Sequence, residues 1–363
     1  MKQIITFTFV ILLFLGLTAQ AQHHDSVSSF IPDKTDAKIK NAFVQASLFF
    51  PIGTSGRASP NYHYNLSLNI AEGVTGGIRG VELNGLTGIS HYINGVQING
   101  LGAANGEVKG LQLSGLISGT SHLSGLQISG LVGLANNVRG IQLNGVLGLA
   151  NKLEGLQVAG FVNITKSVQG MQLAGALNRT KSLRGLQIAI VNVIDTVSSG
   201  IPLGIVNIVQ KGGYSQWELY TSDIVNIGVG YKLGIRKFYS IYSVGFNFIE
   251  DRLFSAGFGF GSNWVISKNK KYEFQPELLN YFYFPTDFKT IRFTSATQLK
   301  LGFVRNFGKV GVYLAPSVYV SIMDKKDGIY DYKISPVRAV HKRESSDNKL
   351  SIGIGYTVGI SLQ

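Results

Sequence analysis

The 363-residue chain is long enough for one or two domains, and because it has no cysteine it excludes a disulfide framework and a thiolate metal site. Lysine and arginine outnumber aspartate and glutamate by 33 to 20, which gives a formal net charge of +13. The cations are scattered through loops and strand ends, so the charge favours an anionic membrane surface or a polysaccharide as partner, and we predict no nucleic-acid partner.

Residues 1–21 have the three parts of a secretory signal peptide. Lys2 supplies the positive start, an apolar run follows from Ile4 to Leu17, and Ala19-Gln20-Ala21 resembles a small-residue cleavage site. Residues 22–41 are polar and predict a flexible leader. His23-His24 could bind copper or nickel, but a solvated tail is the preferred interpretation, and no cofactor is predicted anywhere in the chain.

Residues 42–72 predict two N-terminal β-strands. Apolar and polar residues alternate along Phe43 to Ile52 and again along Tyr62 to Ala71, as they do in a half-buried strand. The turn-rich residues 53–61 separate the two segments. When these strands are added to about eight strands expected near the C-terminus, the total of about ten is the even number usual for a barrel.

Residues 73–212 form a repeat module with a period of 15. A glycine recurs at this interval from Gly80 to Gly200, and a second glycine follows five residues later in most repeats. An apolar–glutamine–apolar triplet lies just after the first glycine, and its alternation predicts a strand. We predict that the repeated glutamines form an amide ladder at Gln97, Gln112, Gln127, Gln142, Gln157, Gln172 and Gln187.

Two architectures fit this repeat. In a β-solenoid each repeat is one coil, identical positions stack, and Leu111, Leu113 and Leu116 with their equivalents would fill a narrow core. In one large barrel each repeat would be a single antiparallel strand, with residues such as Ile141 and Leu143 on one face. Odd and even strands of such a barrel differ in surroundings, so it should repeat every two strands. The period of 15 without an odd–even difference favours the solenoid.

Residues 213–363 predict antiparallel strands of a transmembrane-type β-barrel. The clearest strand is the last, where Leu350, Ile352 and Ile354 alternate with Ser351 and Gly353. Such strands are long enough to cross a bilayer at a tilt, with the apolar face toward lipid and the small, polar face toward the lumen. Pro316 falls on an apolar face and is expected to mark a bulge. The fold class predicted for the whole chain is therefore all-β, a solenoid-like module followed by a barrel.

Several segments resemble the surface-repeat proteins of Bacteroidetes and Leptospira. They are Phe43 to Thr54, Asn65 to Glu72, repeats such as Gly155 to Asn163, and the exit Gly200 to Asn207. The resemblance covers roughly residues 42–250 and is most specific at the repeats. It implies a cell-surface or outer-membrane location, and it brings no established activity and no catalytic residues.

The sequence contains no catalytic motif that we can identify. Carboxylates such as Glu273 and Glu277, and likewise Glu250, Asp251 and Asp287, have no base at a readable spacing. The leading hypothesis is a non-enzymatic bacterial outer-membrane or cell-surface protein with a structural or partner-binding role. Outer-membrane lipid is its expected partner, with a surface glycan or envelope protein as a further one. The alternative is a secreted, soluble β-solenoid binding protein.

Overall fold

The computed structural model describes residues 39–249, 252–269, 271–286, 294–324, 340–344 and 348–363. The predicted signal peptide, the histidine pair and most of the leader lie outside the described residues. The described chain is almost entirely β-strand, with a short 3-10 helix at Gly56–Asn61. Within these ranges no helix has the length and hydropathy needed to cross a membrane. The chain divides into two compact units, one reaching Ile194 and one running from Ile201 to Gln363, with residues 195–200 shared between them.

The first unit is a stack of strands that follow one another along the chain. Their bounds are β1 (Lys40–Phe49), β2 (Ile52–Gly53), β3 (Tyr62–Asn69), β4 (Glu72–Thr75), β5 (Gly77–Asn84), β6 (Thr87–Asn99), β7 (Gly102–Ser114), β8 (Ile117–Ser129), β9 (Val132–Asn144), β10 (Leu147–Ala159), β11 (Val162–Ala174), β12 (Leu177–Ile188) and β13 (Val191–Leu203). The division between the two units falls within β13.

Neighbouring coils of this stack are parallel and in register. From β6 to β12, each paired residue lies beside the residue fifteen positions further along, as with Gly140, Gly155 and Gly170. The β-solenoid prediction is therefore confirmed. The alternative of one large barrel is wrong, because barrel strands joined in sequence would pair antiparallel.

The two glycines of each repeat allow the coils to approach closely. In seven successive repeats, from Gly95 to Gly185, the first glycine has a φ between +127° and +146°, which side chains disfavour. A Cβ at Gly140 would also lie 2.1 Å from the carbonyl oxygen of Gly125. The second glycine lies at the opposite corner, where a Cβ at Gly145 would lie 1.8 Å from the carbonyl oxygen of Gly130.

The interior of the stack is largely polar and its outer faces are apolar, the reverse of the predicted core. Leu111, Leu113 and Leu116 point outward, and Leu116 is 41% exposed. The buried positions belong to the glutamines, to columns rich in Asn, Ser, Thr and Ala, and to one aliphatic column that runs from Ile78 to Leu183. The prediction was wrong because alternation places a glutamine and its neighbours on opposite faces without saying which face is inside.

The two N-terminal strands belong to this stack and not to the barrel. Strand β1 pairs in parallel with β3, and β3 pairs in parallel with β5. The short strand β2 folds back antiparallel on β1. The expected total of about ten barrel strands is therefore wrong, since two strands of the right length and alternation were assigned to the wrong sheet.

The second unit contains a closed antiparallel barrel. After β14 (Val206–Lys211), its strands are β15 (Tyr214–Ser222), β16 (Ile227–Ile235), β17 (Phe238–Asn247), β18 (Leu253–Gly261), β19 (Trp264–Val265), β20 (Tyr272–Pro285), β21 (Thr294–Phe307), β22 (Val310–Asp324), β23 (His341–Glu344) and β24 (Asn348–Leu362). Eight of the described strands close the ring in the order β15, β16, β17, β18, β20, β21, β22 and β24, because β24 pairs back to β15. Two-residue turns join β16 to β17 and β21 to β22.

Side chains of the barrel alternate as the sequence predicts. Along β22, Val312, Leu314 and Val318 point outward, while Tyr313 and Ser317 point into the lumen. Pro316 also points outward and keeps the regular register of β22 with β24, so the expected bulge is absent there. Pro316 has no N–H to donate, and the pairing of β22 with β21 skips Pro316 and Ala315 without a change of register.

We expect Gly140→Ala to loosen the stack, because the new Cβ meets a carbonyl oxygen at a backbone angle that alanine disfavours. The cost should be about 2 kcal/mol or more. The measurement is hydrogen–deuterium exchange of peptides from β8 to β10. Gly102→Ala is the matched control, because the equivalent positions Ile117 and Val132 already carry side chains. Equal exchange in both variants would contradict the close-packing account.

Candidate functional site

The seven predicted ladder glutamines form one column inside the repeat module. Each lies in the same register position of its coil, and each is fully buried. From Gln112 to Gln187, every side-chain Nε2 donates to the Oε1 of the glutamine one coil before it. The successive distances are 3.2, 2.7, 2.7, 2.6, 2.6 and 2.6 Å. The amide dipoles therefore point the same way, and aligned hydrogen bonds of this kind polarise one another.

The ladder begins on a carboxylate. Gln97 Nε2 donates to Glu82 Oε2 at 2.8 Å, and Ser90 and Ser67 add longer hydroxyl contacts at 3.3 and 3.4 Å. Glu82 is fully buried, and this burial raises the pKa of its carboxyl to about 7. Whether or not it is ionised, the carboxyl group of Glu82 has an oxygen that accepts from Gln97 Nε2, so it can end a ladder in which every amide donates toward it.

The opposite end of the ladder has no such cap. Gln187 Oε1 has no hydrogen-bond partner among the described residues. Fifteen residues further along the chain is Pro202, which has no side-chain donor. The glutamine column therefore ends where the sequence replaces glutamine by proline.

Polar residues of the facing segment of each coil support the ladder. Asn105 Nδ2 donates to Gln97 Oε1 at 2.7 Å, and Thr165 Oγ1 donates to Gln157 Oε1 at 2.9 Å. Each coil thus has two short segments whose inward side chains meet across the interior. Because the glutamines are enclosed, the ladder holds the coils together and offers no surface to a ligand.

A second buried polar cluster crosses the barrel lumen. Glu218 on β15, Lys232 on β16, Glu277 on β20 and Lys300 on β21 are all nearly fully buried. Lys232 Nζ forms ion pairs with Glu218 Oε2 at 3.1 Å and with Glu277. Lys300 Nζ lies 3.0 Å from Glu277 Oε2 and 3.7 Å from Glu218 Oε1. Two carboxylates and two ammonium groups balance one another and join opposite walls of the barrel.

Neutral groups complete the environment of these charges. Tyr313 and Tyr239 donate their hydroxyls to Glu218 and Glu277 at 3.1 and 2.8 Å, and Lys232 donates to Gln275 Oε1 at 2.9 Å. Buried ions cost least when they are paired and hydrogen-bonded. Among the described residues, Lys300 Nζ and Glu218 Oε1 have ion-pair partners but no hydrogen-bond partner. The lumen also contains a set of buried tyrosines, namely Tyr214, Tyr220, Tyr239, Tyr281, Tyr283, Tyr313 and Tyr319.

The connection between β15 and β16 folds into one end of the barrel. Ile224 and Val225 are fully buried although they lie outside a strand. Tyr283 Oη and Asn247 Nδ2 both donate to the carbonyl oxygen of Ile224, at 3.1 and 3.0 Å. At the level of these groups the lumen is therefore occupied by the β15–β16 connection, by tyrosines and by ion pairs, which leave no open passage there.

The sequence reasoning missed this cluster. The sequence offers Glu277 and Glu273 no base at a readable spacing, but in the structure Glu277 pairs with two lysines and Glu273 Oε1 lies 2.7 Å from Arg236. Glu250, Asp251 and Asp287 lie outside the described residues. The one signal available was that Glu218, Lys232, Glu277 and Lys300 each stand on the lumen face of an alternating strand. A charge at such a position requires a partner across the lumen.

Comparison with known proteins gives no relative. No protein-family model, no curated protein and no solved structure matches the chain. Among the described residues there is also no group of three or more His, Asp or Glu side chains that could hold a metal ion. The geometry of the chain's own residues is therefore the basis for a functional proposal.

We expect Glu82→Gln to remove a loss of stability that the repeat module suffers as the pH rises. The pKa of Glu82 is raised on folding, so its contribution is favourable below the unfolded value of 4.5 and is lost as pH rises toward 7. Above pH 7 the parent should be less stable than the variant by on the order of 3 kcal/mol, whereas the two should be similar near pH 4.5.

Hydrogen–deuterium exchange of peptides from β5 to β7, compared between variant and parent at each pH, measures this difference. Glu107→Gln is the control, because Glu107 lies on the outer edge of the stack beside Lys109. If the parent protein is as well protected from exchange as the Glu82→Gln variant at pH 8, burial does not oppose ionisation of the Glu82 carboxyl group and the prediction is wrong.

We expect Lys232→Met to destabilise the barrel by about 3–5 kcal/mol, because two buried carboxylates then share one lysine. Lys232→Met combined with Glu218→Gln should recover most of this loss, since the balanced pair of Lys300 and Glu277 remains. The measurement is the urea concentration at which detergent-folded protein loses its compact migration on gels. Lys237→Met, in an exposed turn, should match the parent, and a single variant that also matches it would refute the cross-lumen account.

Proposed function

We propose that this protein is a non-enzymatic bacterial outer-membrane or cell-surface protein, in which the barrel is an anchor in the lipid bilayer and the repeat module has a structural or partner-binding role. The observation that carries the proposal is the distribution of side chains on the closed barrel. Its buried charges point into the lumen, and its outward side chains are mostly apolar. The outward polar exceptions include Ser215, Thr221 and Arg305 toward strand ends and the hydrogen-bonded pair Asn280 and Thr297. A polar lumen with a mostly apolar outer face is typical of a barrel that is surrounded by lipid, and not of one that is surrounded by water.

Closure of the barrel supports a bilayer location. A spanning structure must satisfy its backbone hydrogen bonds internally, and an open sheet edge fails this requirement. The eight barrel strands have no open edge in the ring, because β15 and β24 pair from Trp217–Leu362 to Ser222–Thr357. The strands are 9 to 15 residues long, which matches the length needed to cross at a tilt.

Outward aromatic residues lie near both ends of the barrel. Trp264, Tyr272 and Phe307 are about half exposed at the end that carries the two-residue turns. Phe248 and Phe254 are similarly exposed at the other end. Aromatic side chains in these places are typical of the two boundaries between lipid and water.

The filled lumen argues for an anchor and against a pore. An eight-stranded barrel has an interior just wide enough for side chains. In this barrel the interior holds the Glu218–Lys232–Glu277–Lys300 cluster and the inserted β15–β16 connection. Outer-membrane lipid is thus the proposed partner of the barrel. A surface glycan or envelope protein is proposed for the repeat module, and nucleic acid is not.

We expect the protein to sediment with the outer membrane, to resist carbonate extraction, and to migrate faster on gels before boiling than after. A closed barrel stays folded in detergent until heated, which is the physical reason for the shift. The secreted, soluble alternative predicts a protein that remains in solution without detergent. That outcome would overturn the proposed location.

We expect Leu314→Arg to weaken folding into lipid vesicles by about 2–4 kcal/mol, because it places a charge on the lipid face. In a soluble protein the same change at a 54% exposed side chain should be nearly neutral. Ser124→Arg, at an exposed polar position of the repeat module, is the matched control and should behave as the parent. Urea titration of vesicle-folded protein distinguishes the two results.

A further inference from the structure

The repeat module has an outer surface that is apolar on three sides. Five columns of outward residues run along it, and apart from Thr87 and Arg179 none of their side chains from residue 81 to 188 carries a hydrogen-bonding group. One broad face carries the columns that begin at Val81 and Leu83. The corner carries the column that begins at Leu86, and the opposite face carries those that begin at Thr87 and Ile89.

Many members of these columns are substantially exposed even though their stacked neighbours shade them. Leu101, Leu116, Leu131, Val146 and Phe161, all at the corner, are 40–51% exposed. The polar residues of the same coils point into the interior, where the glutamine ladder and its supporting residues satisfy one another. The module thus has the same inside-out distribution as the barrel.

The fourth side of the module is polar and basic. It comprises the three outward positions just before each first glycine, such as Asn136, Asn137 and Arg139. Between residues 91 and 184 this edge carries six cations and two anions. The cations are Lys109, Arg139, Lys152, Lys166, Lys181 and Arg184, and the anions are Glu107 and Glu154. In cross-section, the two apolar faces and the corner between them form one continuous surface, which we call the apolar wedge. The fourth side is the basic edge.

We propose that the repeat module is itself a lipid-contacting element, with its apolar wedge buried in a membrane leaflet and its basic edge at the headgroups. The proposal extends to the repeats the membrane location proposed above for the barrel. It commits to lipid as the occupant of the wedge, and to anionic headgroup phosphates as the groups that meet the basic edge.

Three features favour lipid over a protein partner. A single partner or a second copy would cover one face, whereas the apolar surface continues over two faces and the corner between them. The wedge is built from Leu, Ile, Val and Met with few aromatic residues, while protein interfaces are enriched in aromatic residues and arginine. Its backbone groups are paired along the stack in successive parallel ladders, as burial in lipid requires.

The dimensions also fit one leaflet. The seven coils from β6 to β12 extend about 29 Å along the stack at ~4.8 Å per coil, and the two segments of each coil lie about 10 Å apart. Interfacial elements bury their apolar side roughly 5–10 Å into the boundary of headgroups and acyl chains. A wedge of this size can therefore lie along the leaflet with its basic edge in water.

Site-directed fluorescence on the full chain in anionic lipid vesicles tests the proposal, and the absence of native cysteine makes each single-cysteine variant specific. A bimane label is placed at Leu116→Cys and Leu131→Cys on the wedge, at Ser124→Cys on the basic edge, and at Val318→Cys on the outer face of the barrel. Each label is then exposed to lipids brominated on their acyl chains and, separately, to aqueous iodide.

The wedge labels should be quenched by brominated lipid to within about a factor of two of the Val318 label, and should be protected from iodide. The Ser124 label should show the opposite behaviour. If the Val318 label is quenched by lipid but the wedge labels respond only to iodide, the wedge proposal fails and the barrel anchor stands. If the Val318 label also fails to respond to lipid, the proposed function fails as well.

A third result would identify a different occupant. Wedge labels that are protected from both quenchers while Val318 responds to lipid would mean that protein covers the wedge, and the lipid proposal would be wrong. A second experiment guards against misfolding of the labelled chains. Leu116→Lys combined with Leu131→Lys should shift those coils from lipid-protected to iodide-accessible at a label on Val146→Cys, while the gel shift of the barrel is unchanged.

Discussion

Polar side chains that are buried inside this protein must pair with one another, because they have no contact with water. The requirement is heavy in both units, since their outer surfaces are largely apolar and their polar side chains point inward. In the repeat module the partners are arranged along the stack, where each glutamine amide donates to the one before it and the column starts on Glu82. In the barrel they are arranged across the lumen, where two lysines and two glutamates balance. Both units thus pair their buried polar groups, but in different ways. Parallel coils in register place identical side chains next to one another, so a ladder can form, whereas antiparallel strands bring different side chains together across the lumen.

Much of the architecture could be predicted from periodicity alone. A strict interval of 15 residues, with glycines at fixed places, is compatible with parallel coils in register and predicted the glutamine column correctly in position. The long alternating strands near the C-terminus predicted the barrel and the outward side of strands such as β22. These features are local, because a period of two or of fifteen is written within a short stretch of the chain.

What could not be predicted depends on the choice of inside and outside and on distant contacts. Leu111 and Leu113 were expected in the core because apolar residues usually lie there, but the structure turns both side chains outward. The pairing of Glu277 with Lys232 and Lys300 brings together residues on three strands that meet only when the barrel closes. Likewise, β1 and β3 alternate as barrel strands do, and only their parallel partners assign them to the stack.

The identical surroundings of successive coils have a consequence for how the length of this protein can vary. Between β6 and β12, removal or duplication of one whole coil would rejoin glutamine to glutamine and glycine to glycine, so the cross-section would be unchanged. A change of any other size would place every later side chain in the wrong column. Natural variants of such a module that differ in length should therefore differ by whole multiples of one 15-residue coil.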